Sequence, residues 1–536
     1  MTNYQFTGGT ICAPATIPGT GAISIIRVSG KDALAIADKV IDTKGVPIAE
    51  TEGYRLRYGM VFEADGSVLD NVIVSVFRAP HSYTGENSVE ISCHASRFIV
   101  NKILEFLVNA GARIAAPGEF TRRAFVNGKM DLAQAEAVAD VIASQSAASH
   151  RVAMNQLKGG FSSELKVLRE KLLTMTSLLE LELDFSEEDV EFASRKELGQ
   201  LVDDSLTHIR RLTASFSRGN AIKNGVPVAI VGATNTGKST LLNALLGEER
   251  AIVSDIAGTT RDTIEETLNI DGILFRFIDT AGIRETDETI EKIGIDRTFK
   301  KLGEAAVVLG MTDLSRGEAA VLEDADFILS KVNEMGGVKN VAAVNDGAET
   351  GGASLAETGG ASQHGHGDGQ ERKVVILVNK CDVAGDFYRD DNGTGDGSGN
   401  DLGENMAEIS DNKNVNHDNN IVSLIENKYN NCKVIPISAK TGKGLSTLTK
   451  TLGEIGSEIT GSTDETLVTN VRHYEALVRA ASALERVRAG LNIATLPPDL
   501  IAQDLREALY HLGEIVGEIS TDETLGNIFR NFCIGK

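Results

Sequence analysis

The plainest chemistry in this sequence lies in GATNTGKS, Gly232 to Ser239. The stretch fits G-x-x-x-x-G-K-[ST] at Gly232, Gly237, Lys238 and Ser239, between the apolar run VPVAIVG and the helix-like STLLNALLG. In that strand–loop–helix setting, loop amides and the helix dipole would cradle phosphate oxygens. Lys238 would reach the β- and γ-phosphates, and Ser239 would ligate magnesium. Asn235, Thr236 and Thr240 belong to the same loop and helix start.

A phosphate cradle does not choose the base. NKCD, Asn379–Lys380–Cys381–Asp382, closes an apolar strand pattern, and the Asp382 carboxylate could accept from guanine N1–H and N2–H2, a pair adenine lacks. ISAK, with Ser438, Ala439 and Lys440, would bring the Ala439 amide near guanine O6. DTAG, Asp279–Thr280–Ala281–Gly282, offers a carboxylate toward magnesium and an amide toward the γ-phosphate; AGTTRD offers Thr260 as the switch threonine on magnesium. In order and strand context these resemble the five motifs of the translation-factor-like GTPases. One position departs. The glutamine that follows this motif in Ras-type enzymes is here Ile283, which cannot orient water. Asn235 is the residue type that in related GTPases coordinates potassium; the plainer reading is an asparagine bonded to its own loop.

These motifs need a scaffold. From Val226 onward, VPVAIVG, ILFRFID, AAVVLGM, KVVILVNK and KVIPISAK alternate with helical stretches, which predicts a doubly wound, mostly parallel sheet. Leu165, Leu168, Leu172, Met175 and Leu179 form a helical stripe before it; Leu505, Leu509, Leu512, Val516 and Ile519 form another after it. Ahead of both, AISIIRVSG, NVIVSVF and VEISCHA alternate as strands of a small α/β domain. The expected fold is α/β plus α: a P-loop GTPase domain inserted in a helical domain, preceded by the small α/β domain. The expected bounds are 1–129 for the N-terminal domain, 130–222 and 458–536 for the helical domain, and 223–457 for the G domain. Residues 345–372 repeat AETGGAS, and 384–420 are rich in Asp, Asn and Gly; both read as flexible surface insertions. The second lacks the ligand spacing of an EF-hand, which argues against calcium.

Net charge is −23, so nucleic acid must be met through a local patch or a partner. Cys12, Cys93, Cys381, Cys432 and Cys533 form no C-x-x-C pair, which argues against zinc and disulfides and suits a reducing compartment. No charge precedes Arg27, no basic region marks a signal peptide, and no apolar run is long enough to span a membrane. The expected location is the cytoplasm. The closing FCIGK has the outline of a prenylation box, but Lys536 is the wrong final residue. Ser520 and Glu523 at capping-box spacing predict a last helix that aims this tail.

TICAPATIPGTGAISIIRVSG, SYTGENSVEISCHAS, APGEFTRRAFVNGKMDLAQAEAVAD and FCIGK, around a GTPase inside helices, resemble the tRNA-modifying GTPase family MnmE (TrmE). The resemblance covers nearly all of the chain except the two insertions. It implies that Arg27, Glu90, Lys129 and Lys536 bind a tetrahydrofolate one-carbon derivative, in a 5-formyl or methylene form. It implies potassium on Asn235, Ser254, Ile256 and Thr259, and magnesium on Ser239 and Thr260. Family members usually carry threonine where Ser254 stands. The resemblance also implies that Glu291 positions water through a bridge, covering for Ile283; Cys533, a thiol near a folate and a uridine, reads as a nucleophile or proton carrier, the plainer reading being a structural cysteine. The family works as a homodimer whose G domains activate one another. With the flavoprotein MnmG it installs an aminomethyl-type group at C5 of the wobble uridine of tRNA. The expected activity is GTP hydrolysis coupled to that modification; the rival is a regulatory GTPase of ribosome assembly that binds RNA without modifying it.

Overall fold

The computed structural model describes residues 8–184, 194–249, 266–278, 304–334, 372–383, 418–429, 432–461, 465–493, 497–519 and 521–530, with 532 and 535. The chain divides into two compact units, 1–144 with 149–217 and 463–536, and 145–148 with 218–462.

The first unit opens with a sheet of seven strands. They are β1 (Ile11–Pro14), β2 (Ile23–Ser29), β3 (Ile41–Asp42), β4 (Arg55–Phe62), β5 (Val68–Phe77), β6 (Ser88–His94) and β7 (Arg113–Ile114), in the order β3-β4-β5-β6-β2-β1-β7. Side chains alternate between faces. Val72, Val74 and Val76 of β5 are buried under helices α1 (Ala33–Val40) and α2 (Arg97–Asn109), against Leu34, Ile36, Ile103 and Leu107. The opposite face carries the cross-strand row Leu56, Ser75, Glu90, Arg27. Antiparallel register thus makes neighbours of Arg27 and Glu90.

Five helices follow, α3 (Glu119–Val126), α4 (Leu132–Ala143), α5 (Ala147–Leu157), α6 (Gly160–Asp184) and α7 (Arg195–Ala214), and α8 (Phe216–Asn224) then leads the chain into the second unit. Asp131 and Gln134 close a reciprocal capping box on α4, satisfying amides that the first turn leaves without intrahelical partners.

The second unit holds a six-stranded sheet. Its strands are β8 (Val226–Gly232), β9 (Glu266–Ile270), β10 (Ile273–Ile278), β11 (Val307–Asp313), β12 (Lys373–Asn379) and β13 (Lys433–Pro436). Their order is β13-β12-β11-β8-β10-β9, parallel except for the β9–β10 hairpin. The near-unbroken apolar runs of β8 and β11 follow from burial on both faces. Val307, Leu309 and Met311 face one core, with α9 (Lys238–Glu249) and α12 (Leu445–Thr460) supplying Leu241, Leu245, Leu448 and Leu452. Ala229, Val231 and Val308 face another, filled by Val321 and Ile328 of α10 (Glu318–Glu334) and Ile425 of α11 (Asp418–Lys428).

The chain then returns to the first unit as α13 (Val471–Leu491), α14 (Pro498–Val516) and α15 (Asp522–Arg530). Leu165, Leu172 and Leu179 of α6 share one core with Val202 and Ile209 of α7, Leu477 and Leu484 of α13, and Leu505 and Leu512 of α14. Each fully buried leucine there contributes about 1.5–3 kcal/mol. Two expectations change. Ile519 is not part of the α14 stripe: Gly517 adopts φ 84° and ends the helix, and Ile519 folds back toward Gly513 beyond it. The last helix is capped by Thr521, whose Oγ1 accepts from Thr524 N at 3.1 Å, one residue later than Ser520 would place it.

One buried polar cluster joins these helices. Glu136 of α4 takes Arg472 Nε at 2.9 Å and Nη2 at 3.0 Å, with His473 Nε2 2.6 Å from its Oε2. Arg472 also donates to the carbonyls of Glu514 and Ile515 at 2.7 and 3.0 Å, closing the α14 C-terminus. Burial works against the charge on Glu136, but the neighbouring His473 and Arg472 outweigh it and hold the carboxyl down at about 2.

Candidate nucleotide-binding site

The phosphate-type loop follows β8, the central strand at which the sheet order reverses, where open α/β sheets place their ligands. Asn235 takes φ 64°, a left-handed value that asparagine tolerates better than most residues. Gly237 takes φ 99°, and a Cβ there would stand 2.4 Å from Asn379 Nδ2. Buried Thr236 ties the loop with Oγ1 to Ala233 O at 2.9 Å. Lys238 Nζ donates to the carbonyls of Gly232 and Ala233, both at 2.9 Å. An ammonium has three donors, so this arrangement keeps one for an anion. Burial pushes the Lys238 ammonium down from its usual value, a cost that an arriving phosphate would offset. Lys238, Ser239 and Thr240 open α9, whose first amides point toward the same place.

The loops after β12 and β13 converge on Asn379. Its Nδ2 donates to Thr236 O at 2.6 Å, and its Oδ1 accepts from the Ala439 amide at 3.0 Å. One side-chain amide therefore joins the loops after β8, β12 and β13. The Ala439 N–H was expected to face guanine O6; in the structure it serves this buried acceptor, which would otherwise lack its partner. Ser438 is buried and its Oγ accepts from Thr441 N at 3.2 Å, while Lys440 is exposed. Lys380, at φ 67°, sends Nζ to Asp313 Oδ2 at 2.6 Å, and Asp382 stands exposed two residues on. Cys381 is half-buried; burial raises its thiol, and Sγ donates to Val378 O at 3.3 Å.

In the first unit, Arg27 Nε and Nη2 donate to Glu90 Oε1 at 3.0 and 2.8 Å. The guanidinium lies 5.2 Å from the Tyr83 ring centroid and 5.6 Å from that of Phe120. Its Nη1 reaches Gly535 O at 3.5 Å. Gly535 takes φ 99°, and a Cβ there would stand 2.0 Å from Pro14 O. Phe529 and Phe532 pack on α3 and α4 with Leu132 and Phe125, and Gly535 lies against Pro14 of β1 and Arg27 of β2. Lys129 does not touch Arg27 or Glu90: its Nζ donates to Pro80 O at 3.1 Å, on the loop that carries Tyr83.

Two family models match this chain: the MnmE helical domain over residues 132–533 and the GTP-binding protein TrmE N-terminus over 10–129. The chain belongs to the MnmE family. It is 46% identical over 534 residues to the tRNA modification GTPase MnmE of Parabacteroides distasonis, covering 98% of this chain and 100% of that one. With the protein of the same name from Bacteroides thetaiotaomicron it shares 45% over 532 residues, covering 98% and 99%. With that of Porphyromonas gingivalis it shares 44% over 538 residues, covering 99% of each.

The P-loop GTPase unit and its helical and N-terminal surroundings are thus those of an MnmE chain. Of the residues singled out from the sequence, Ser254, Ile256, Thr259, Thr260, Asp279, Thr280, Ala281, Gly282, Glu291, Cys533 and Lys536 lie outside the described residues, as does most of each insertion. Asn235, Thr236, Gly237, Lys238, Ser239, Asn379, Lys380, Asp382, Ser438 and Ala439 come together at the C-terminal ends of β8, β12 and β13. Sequence reasoning missed Asp313 and Tyr83. Asp313 ends an apolar strand run, as Asn379 does, and strand register sets the two opposite each other.

Proposed function

We propose that this chain hydrolyses GTP as the GTPase of a tRNA-modifying enzyme. The observation that carries the reading is the Asn379 junction, which binds a phosphate-type loop to two base-reading loops within an MnmE chain. Water would attack the γ-phosphorus in line and break its bond to the β–γ bridging oxygen, giving GDP and phosphate. Lys238 would hold the charge that builds on the transferred group, and the exposed Asp382 carboxylate would read guanine N1–H and N2–H2.

Bound magnesium and potassium would supply further positive charge at the phosphates. Ser239, at the start of α9, fits a magnesium ligand in residue type and position, with Thr260 as its proposed companion. Asn235, exposed on the loop, fits a potassium ligand, with Ser254, Ile256 and Thr259. Glu291 is assigned to positioning the attacking water.

The finer reading gives the tRNA reaction to the first unit. There Arg27, Glu90, Lys129 and Lys536 would hold a tetrahydrofolate one-carbon donor beside Cys533. Support comes from the paired Arg27–Glu90 set between aromatic rings, with Gly535 O at hand. The product would be an aminomethyl-type group at C5 of wobble uridine, made with the flavoprotein MnmG. The homodimer reading is supported by the open sheet face, where Tyr54, Leu56 and Tyr58 are 70%, 67% and 62% exposed.

The test is mass spectrometry of tRNA from cells lacking this protein, complemented with wild type, Lys238→Ala or Arg27→Ala. Restoration of C5-modified wobble uridine by wild type alone is expected. Unchanged modification in the deletion strain refutes the reading and favours the RNA-binding rival.

A further inference from the structure

Among the described residues of the second unit, Asp313 is a buried carboxylate that no step of the GTP reading uses. It ends β11, and its side chain is 6% exposed. Both oxygens are engaged. Oδ1 accepts from Ser315 N at 3.0 Å and Ser315 Oγ at 2.6 Å, and Oδ2 accepts from Lys380 Nζ at 2.6 Å. The turn after β11 therefore aims the carboxylate, and the carboxylate aims the lysine.

Lys380 is the residue on which the base-reading loop turns. Its φ of 67° is unfavourable for a residue with a Cβ and persists only where surroundings impose it. Asn379 before it is pinned to Thr236 and Ala439. Cys381 after it donates its amide to Ile437 O at 3.3 Å, and Val383 N closes onto Lys380 O at 3.0 Å. The lysine side chain is a further fastener among the described residues, and its far end is held by Asp313. A charge-assisted bond of this length with one partner buried is the strong kind.

We infer that Asp313 is a positioning residue for guanine recognition: by fixing Lys380 in its left-handed turn, it sets the direction in which Asp382 presents its carboxylate to the base. It touches neither the base nor the phosphates. The inference rests on the GTP-binding reading above. Burial opposes ionisation of Asp313, but the bonds from Lys380 and Ser315 outweigh it, so the carboxyl stays charged.

The experiment compares GTP with ITP, which lacks the 2-amino group and so offers Asp382 one hydrogen bond in place of two. Equilibrium binding of both is measured on the full chain for wild type, Asp313→Asn, Asp313→Glu, Lys380→Met and the Asp313→Asn/Lys380→Met pair. In Asp313→Asn, GTP affinity should fall about tenfold and ITP affinity less, narrowing the ratio between them. Asp313→Glu keeps the charge and should recover most of the ratio. The double variant should lose no more than Lys380→Met alone, because the aspartate acts through the lysine. Equal losses for GTP and ITP, or additive losses in the double variant, overturn the inference. If wild type binds GTP and ITP equally, the guanine reading itself fails, and the proposal with it.

Discussion

Glu136 offers the sharpest test of how the first unit is held together. The perturbation is Glu136→Gln, which keeps the volume and removes the charge between Arg472 and His473. The carboxyl sits at about 2 against an ordinary 4.5, because the neighbouring His473 and Arg472 outweigh its burial. Each pH unit of such depression corresponds to about 1.4 kcal/mol, so the cluster contributes on the order of 3 kcal/mol to folding at neutral pH. Loss of one partner of a buried pair falls in the same range, about 3–5 kcal/mol. The group is depressed on folding, so its contribution is complete above about pH 4.5 and is lost as pH falls toward 2. Hydrogen exchange of peptides from α13 and α14 is the suitable assay, since it reads this unit apart from the nucleotide-binding one. Protection of their slowest amides at pH 7 should fall about 100-fold in Glu136→Gln. Acid melting followed by circular dichroism should show wild type losing stability below about pH 4.5 more steeply than the variant. Protection factors within threefold of each other, or parallel acid curves, would refute the assignment.

Three further outcomes are expected. Gly237→Ala should weaken GTP binding about 10- to 100-fold in a fluorescent-nucleotide titration, because the new methyl would stand 2.4 Å from Asn379 Nδ2; unchanged affinity would show that the junction yields freely. Asp382→Asn should weaken GTP about 10- to 100-fold and improve binding of xanthosine nucleotides, and an unaltered preference would remove Asp382 from base reading. Hydrolysis should run faster in potassium than in sodium, with the difference abolished in Asn235→Ala; equal wild-type rates in the two salts would sink the potassium assignment.

Much of the G unit was legible because its signals are local. A loop motif between a strand run and a helix run needs only about 20 neighbouring residues, and β8, β11 and β12 are apolar throughout since both faces are buried. The contacts that organise the sites are not local. Asn379 reaches Thr236 and Ala439, Arg27 meets Glu90 through antiparallel register, and Glu136 finds Arg472 far along the chain. No periodicity encodes such partners. The errors at helix ends have a local cause: the apolar step at Ile519 continues the α14 stripe, but Gly517 can turn left-handed and stop the helix first. Ser520 and Thr521 are both able caps, and spacing alone did not separate them.

The Asn379 junction also bears on how the chain is made. Its partners lie at Thr236 and Ala439, so roughly 200 residues separate the first loop from the last that completes it. At ribosomal speeds of about 5–20 residues per second, that gap lasts on the order of 10 to 40 s. Through that interval the nascent G unit has its phosphate loop but not the strand that locks it. The bond from Asn379 to Ala439, which ties the loop after β12 to the loop after β13, can form only once β13 has been made. The long segments between β11, β12 and β13 lengthen that wait.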